Sequence, residues 1–242
     1  MIRKHFKTID STNTWAKHHA SELDPHLITL ITADEQTAGR GRFKRHWESP
    51  SGLNIYATFC FFIEKHRQDI GNLPQILALA TCRILEELHF QPQLKWPNDV
   101  LLSHKKVAGI LCETTPLSDN ICVILGIGLN VNMAQEQLQN IDRPATSLLA
   151  EDGKVRQVEE VLQLLQHRFS SHLEQFIDEG FSPFLEAYKN ILVHRQGDVI
   201  RFNDNRTLWE GNFQGIAQDG GLNLLIPSTG HVKTFYAGEI EF

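Results

Sequence analysis

The chain has 242 residues, 41% of them hydrophobic and 21% charged, enough for one substantial domain plus a small one with a real apolar core. With 23 Lys and Arg against 29 Asp and Glu, the formal charge of -6 argues against a dedicated nucleic-acid binder and favours small-molecule or protein partners. No apolar run is as long as a membrane span needs, the basic start has no signal-peptide core behind it, and Cys60, Cys82, Cys112 and Cys122 form no CxxC pair. The expected compartment is therefore a reducing cytoplasm, with neither a disulfide framework nor a zinc site.

Taken in chain order, Asp10-Ser11-Thr12-Asn13 reads as a helix N-cap, with Trp15, Ala16 and Leu23 in the segment after it. Residues 26–33 read as a short buried strand and 53–63 as a longer one. Leu73, Ile76, Leu77, Ala80, Ile84 and Leu88 recur at helical spacing and predict an amphipathic helix. Strands are expected at 93–96 and 100–102 around a Pro-Asn-Asp turn, then at 106–113 and 121–125. The stripe Leu162, Leu165, Phe169, Leu173 and Phe176 predicts the strongest helix, and Ser182-Pro183 opens another through Tyr188. From about Gly197 the texture changes to five short apolar pieces separated by turns at 203–205, 219–221 and 228–230. That pattern predicts a small β-barrel appended to an α+β domain.

Two basic clusters stand out against the acidic background. Residues 39–47 put Arg40, Arg42, Lys44 and Arg45 on a backbone loosened by Gly39 and Gly41, ahead of Trp47. The second cluster is Lys95-Trp96-Pro97-Asn98-Asp99, then Lys105-Lys106-Val107-Ala108-Gly109. Such charge suits a small polyanion, a nucleoside triphosphate first of all. There is no GxxxxGK[ST], and Gly126-Ile127-Gly128-Leu129-Asn130-Val131 lacks the third glycine of a dinucleotide fingerprint. Phosphate recognition by arginine forks on a glycine-bearing loop remains, with Trp47 as a stacking face. Each cluster alone also fits a plainer reading: a solvated basic loop, lysines closing a hairpin, or an Asn-Asp turn.

In order along the chain, Ser11-Thr12-Asn13, Gln36, Gly39-Arg40-Gly41-Arg42 with Trp47, Lys95 to Asp99, Lys106 to Glu113 and Gly126 to Asn132 closely resemble the biotin protein ligases, the biotin–[acetyl-CoA-carboxylase] ligases. The resemblance spans essentially the whole chain. It implies an α+β fold: a mixed β-sheet with helices packed on it, class II synthetase-like, over residues 1–193, and a small SH3-like β-barrel over 194–242. It implies a reaction that joins biotin and ATP into biotinyl-5′-AMP and pyrophosphate. Biotin then passes to a lysine of a biotin carboxyl carrier protein of acetyl-CoA carboxylase. Mg²⁺ would accompany ATP, and no recognisable protein motif ligates a metal.

Carried onto matching positions, the resemblance puts Ser11, Thr12, Asn13, Gln36, Gly39, Arg40, Arg42, Lys106 and Gly109 around biotin. Arg42, Arg45, Trp47, Asn98, Lys106 and Asn130 would contact the nucleotide. Lys106, Arg42 and Asp99 would carry the chemistry, with Asp99 as a base or only a turn cap. Biotin's carboxylate must approach a polyanion, and two unit charges ~4 Å apart repel by roughly 4 kcal/mol at an effective dielectric of 20. Arg42 and Lys106 would offset that repulsion. Residues 39–47 are expected to order over the adenylate and exclude water, and Lys44, a glycine in many relatives, would alter that loop. Ser11 so near the start implies a short form without an N-terminal DNA-binding domain, and hence no nucleic-acid partner. Pairing of two copies through sheet edges stays open. A lipoate–protein ligase, sharing the fold and a comparable lysine, and a non-catalytic biotin-binding protein are the alternatives.

Overall fold

In chain order the elements are β1 (Ile2–Ile9), α1 (Thr12–His18), β2 (Thr29–Gln36), β3 (Ile55–Glu64), α2 (Leu73–Glu87), β4 (Gln93–Lys95), β5 (Asp99–Leu102), β6 (Lys105–Leu117) and β7 (Asn120–Leu129). There follow α3 (Gln135–Leu138), α4 (Leu148–Asp152), α5 (Val158–Glu179), α6 (Leu185–Asn190), β8 (Val199–Asn203), β9 (Leu208–Ile216), β10 (Leu222–Ile226), β11 (His231–Phe235) and β12 (Glu239–Glu241). The computed structural model describes residues 1–241, with Lys44 described by its backbone alone. The expectations attached to the Lys44 side chain and to Phe242 lie outside the described residues. Two units are distinguished, Met1–Gln68 with Lys105–Gln166, and Asp69–His104 with His167–Phe242.

In the first unit β1 pairs parallel with β2, and β2, β3, β7 and β6 follow antiparallel, so the sheet is mixed as expected. β1 was not predicted. It is an edge strand with only Phe6 and Ile9 half-buried, so it shows no apolar alternation to read. Helix α1 begins where the sequence indicates: Ser11 is extended and its Oγ accepts the Thr14 N–H at 3.4 Å. Ala16 of the helix and Ala20 in the 3-10 turn just beyond it cluster with Ile31, Cys60, Cys122 and Ile124 of the sheet.

The second unit is built on α2, which is buried except at Pro74, Arg83, Glu86 and Glu87. It packs on the β4–β5 hairpin and on α6. The turn of that hairpin contains a cis Trp96–Pro97 bond. The expected helix from Ser182 is divided into a 3-10 turn, Ser182–Phe184, and α6, because Pro183 suits a first turn and supplies no N–H for a longer ladder. The C-terminal segments form a five-stranded antiparallel sheet in the order β11-β10-β9-β8-β12, wrapped on Phe202, Phe213, Leu222, Leu224, Phe235 and Ile240.

Candidate functional site

The site is built on one face of β3, β7 and β6. Register places Tyr56, Gly128 and Gly109 in one cross-strand row, then Thr58, Gly126 and Leu111, then Cys60, Ile124 and Glu113. The glycines leave bare backbone where other groups descend. A Cβ on Gly126 would lie 2.0 Å from Asn13 Oδ1, and one on Gly128 would lie 2.3 Å from Trp47 Nε1. A Cβ on Gly109 would meet Lys106 Cε at 2.8 Å and Trp47 Cζ3 at 3.1 Å. Gly126-Ile127-Gly128, no dinucleotide fingerprint, is thus a floor that admits an amide and an indole.

One wall is the N-terminus of α1. Ser11, Thr12 and Asn13 are all buried. Gln36 Oε1 accepts from the Thr12 N–H at 2.9 Å and the Thr12 hydroxyl at 3.1 Å, while Gln36 Nε2 donates to Ser49 Oγ at 3.1 Å. Thr58 donates its hydroxyl to Asn13 Oδ1 at 2.7 Å. Asn13 Nδ2 donates to Leu111 O at 3.3 Å and to Glu113 Oε2 at 3.2 Å. These buried and half-buried side chains orient one another, which is how a preformed polar pocket is kept rigid.

The second wall is residues 39–47, which fold back as a tight hairpin. Trp47 N–H donates to Gly39 O at 2.9 Å and Gly41 N–H to Arg45 O at 2.8 Å. Between those bonds Arg40 and His46 face each other as a non-hydrogen-bonded pair, so the N–H and C=O of Arg40 point away from the hairpin. The tip holds Phe43 at φ 58, with the Arg42 and Arg45 guanidinium carbons 5.0 and 5.5 Å from its ring centre. Gly39 has no room for a side chain, since a Cβ there would come 2.5 Å from Trp47 O and 2.6 Å from Ser49 Oγ. The Arg40 guanidinium turns outward to Thr14 Oγ1 at 3.0 Å and Glu113 Oε2 at 3.3 Å. Glu113, whose side chain is only 18% exposed, also takes Lys17 Nζ at 3.2 Å. It therefore ties both walls to β6.

Lys106 and Asn130 close the far end. Thr146 N–H donates to Lys106 O at 2.9 Å, and Asn130 Nδ2 donates to Thr146 O at 3.0 Å, so both hang on one residue. The Lys106 ammonium sits 5.5 Å from the centre of the Trp47 ring. Trp47 Nε1 is a buried donor with no partner among the described residues. Asn98 and Asp99 belong to the second unit: Asn98 is buried, and Asp99 is half-buried and faces Lys95 across the β4–β5 ladder. Every other residue assigned a biotin, nucleotide or catalytic role from the sequence lies in the first unit.

The sequence reading missed Thr58, Glu113, Gly126 and Gly128 as parts of this arrangement. The two glycines carried a signal: they alternate inside an apolar strand, where a bare position marks close approach. Thr58 and Glu113 carried none, because only the register brings them beside Asn13. Among the described residues no group of three His, Cys, Asp or Glu side chains could hold a metal ion. No described helix is long and apolar enough to cross a membrane. Burial pushes the Cys112 thiol up to about 12 and Cys122 to about 11, so neither is a thiolate at neutral pH.

Residues 5–130 match the biotin/lipoate A/B protein ligase family. The chain is 33% identical to the biotin–[acetyl-CoA-carboxylase] ligase of Paracoccus denitrificans, covering 95% of this chain and 98% of that protein. It is 32% identical to the bifunctional ligase/repressor BirA of Bacillus spizizenii, over 96% of this chain and 71% of the longer relative. Among solved structures, a biotin protein ligase from Aquifex aeolicus in complex with biotin and ATP superposes with a TM-score of 0.81 at 31% identity, covering 99% of this chain and 97% of that one. The chain belongs to the biotin/lipoate A/B protein ligase family.

Proposed function

We propose that the protein is a biotin–protein ligase that activates biotin with ATP and transfers it to one lysine of a biotin carboxyl carrier protein. The observation that carries this reading is the junction of a closed polar network with a cationic end over one glycine floor. Ser11, Thr12, Asn13 and Gln36 suit the ureido group of biotin, which needs both donors and acceptors in a dry pocket. The outward N–H of Arg40, rather than its guanidinium, is the group available to that ring. An apolar dithiolane such as lipoate would cover this polar face without returning a hydrogen bond to it.

In the first step a carboxylate oxygen of biotin attacks the α-phosphorus of ATP. A C–O–P link forms, the bond to the β-phosphate breaks, and pyrophosphate leaves with the electron pair. Arg42 and Lys106 offset the repulsion between the two anions and stabilise the charge that builds as they meet. Trp47, Arg45 and Asn130 face the nucleotide, and the indole N–H is a donor a bound ligand can satisfy. Mg²⁺ would arrive on the phosphates of ATP and supply further charge there. In the second step the acceptor amine attacks the acyl carbon and AMP leaves, with Asp99 orienting the amine or taking its proton. Residues 1–193 form the catalytic domain in this reading, and 194–242 the appended barrel. Incubation with biotin, ATP and a carboxyl carrier domain, read by avidin capture, tests the proposal. Labelling restricted to the carrier's acceptor lysine is expected, and an unlabelled carrier would overturn it.

A further inference from the structure

We propose that the Asp219-Gly220-Gly221 turn of the C-terminal sheet is a latch that holds the Lys95–Asp99 segment in the position that Asn98, read as a nucleotide contact, and Asp99, read as acting on the acceptor amine, require. This rests on the reading of Asn98 and Asp99 given above, and it assigns a role to the barrel. Three buried donors converge on two carbonyls of that turn. Asn72 Nδ2 donates to Asp219 O, and Gln75 Nε2 and Trp96 Nε1 both donate to Gly220 O, each at 2.9 Å. A carbonyl has two lone pairs, so Gly220 O is fully used by one residue of α2 and one of the segment. Asn72 stands at the N-cap of α2, where Asn ordinarily caps, yet its side chain makes no cap bond. It reaches the turn and Gln75 Oε1 instead.

The turn is itself rigid. Ala217 and Gly221 are bonded across it at 2.8 Å, Gly220 N–H returns to Ala217 O at 3.0 Å, and the Tyr236 hydroxyl donates to Asp219 Oδ2 at 2.8 Å. Gly220 takes φ +84, and a Cβ there would fall 2.1 Å from Asn72 Nδ2 and 2.6 Å from Gln75 Oε1. No other residue fits the turn while it is seated. From the other side Tyr188 of α6 donates its hydroxyl to Pro97 O at 3.1 Å. The segment is thus held from the barrel through Trp96 and from α6 through Pro97, the two residues that precede Asn98.

Trp96→Phe and Gly220→Ala in the full chain test the latch by two readouts. The first is amide hydrogen exchange over residues 93–102, which needs no activity; the second is biotin-dependent ATP–pyrophosphate exchange. Trp96→Phe removes one donor and keeps an aromatic ring beside Phe202, so it should leave the fold intact. Exchange in the segment is expected to quicken about tenfold, and the KM for ATP to rise about five- to tenfold. The KM for biotin should stay within about twofold of wild type, because its residues lie in the other unit. Gly220→Ala should show the same pattern more strongly; if it does not fold, Trp96→Phe carries the test. Unchanged segment exchange overturns the latch, as does an unchanged KM for ATP or a parallel rise of both KM values. A wild type that exchanges no pyrophosphate would refute the proposed function, and the hydrogen-exchange result would still decide whether the segment is latched.

Discussion

Gly128→Ala probes the floor of the site most sharply. The added methyl would sit 2.3 Å from Trp47 Nε1, 2.4 Å from Cε2 and 2.7 Å from Cζ2. Comfortable contact is about 3.5 Å, so the indole must retreat by roughly 1.2 Å along that direction. It cannot retreat alone, because Trp47 is bonded to Gly39 and its ring carries the Lys106 ammonium. The hairpin and the lysine therefore move together. A misplacement of about 1 Å at a reacting centre costs on the order of 100-fold in rate. The fold should lose only the ~1–3 kcal/mol typical of overpacking, a fall in Tm of several degrees. Biotin-dependent ATP–pyrophosphate exchange and a thermal melt measure the two separately. Gly71→Ala, where a Cβ meets nothing within 4 Å, is the control and should match wild type. Gly128→Ala activity within about threefold of wild type would refute the argument that Trp47 is held against this floor for catalysis.

Glu113→Ala unties Asn13, Lys17 and Arg40 at once, so the KM for biotin should rise about tenfold or more, with Glu113→Gln recovering part of it by keeping an acceptor. Equal KM values in steady-state assays of all three proteins would contradict the bracing role. Burial, with the Arg168 charge nearby, holds the His172 imidazole down at about 4 against 6.5. As pH falls below 6.5 the unfolded chain takes a proton that the native state refuses, so stability is lost down to about pH 4 and no further. The ring is only half-buried, so ~1–2 kcal/mol is expected, and His172→Gln should narrow the drop in urea midpoint between about pH 7 and 4.5. Residues 39–47 should resist trypsin at Arg42 and Arg45 once biotin and ATP are both present. Equal cleavage rates with and without the two substrates would argue against closure of the hairpin.

The parts legible in the sequence were those where local chemistry and position coincide. Ser11 caps α1 because an extended Ser before a helix can accept an amide, whatever packs around it. The α5 stripe and the barrel turns were visible for the same reason: periodicity and turn residues are local properties. β1 escaped because an edge strand needs no apolar face, and α4 because five residues give no period to count. Strand limits slipped by a few residues, as with β7, which runs on to Leu129 through glycines that read as a break. In the site, residue types carried the clusters, but direction did not follow from type. Arg40 looks like a ligand arginine in sequence, and its guanidinium is engaged with Thr14 and Glu113. The pairing of Gly109 with Gly128, which makes the floor, exists only through the β6–β7 register.

The central claim is that biotin is adenylated with Lys106 as a leading cation. The most direct measurement is pyrophosphate release from ATP with biotin or lipoate as the acid, for wild type and Lys106→Ala. The account predicts release with biotin, little with lipoate, and loss of the biotin-dependent signal in a folded Lys106→Ala protein. Release driven by lipoate, no release with either acid, or full activity in the variant would contradict it.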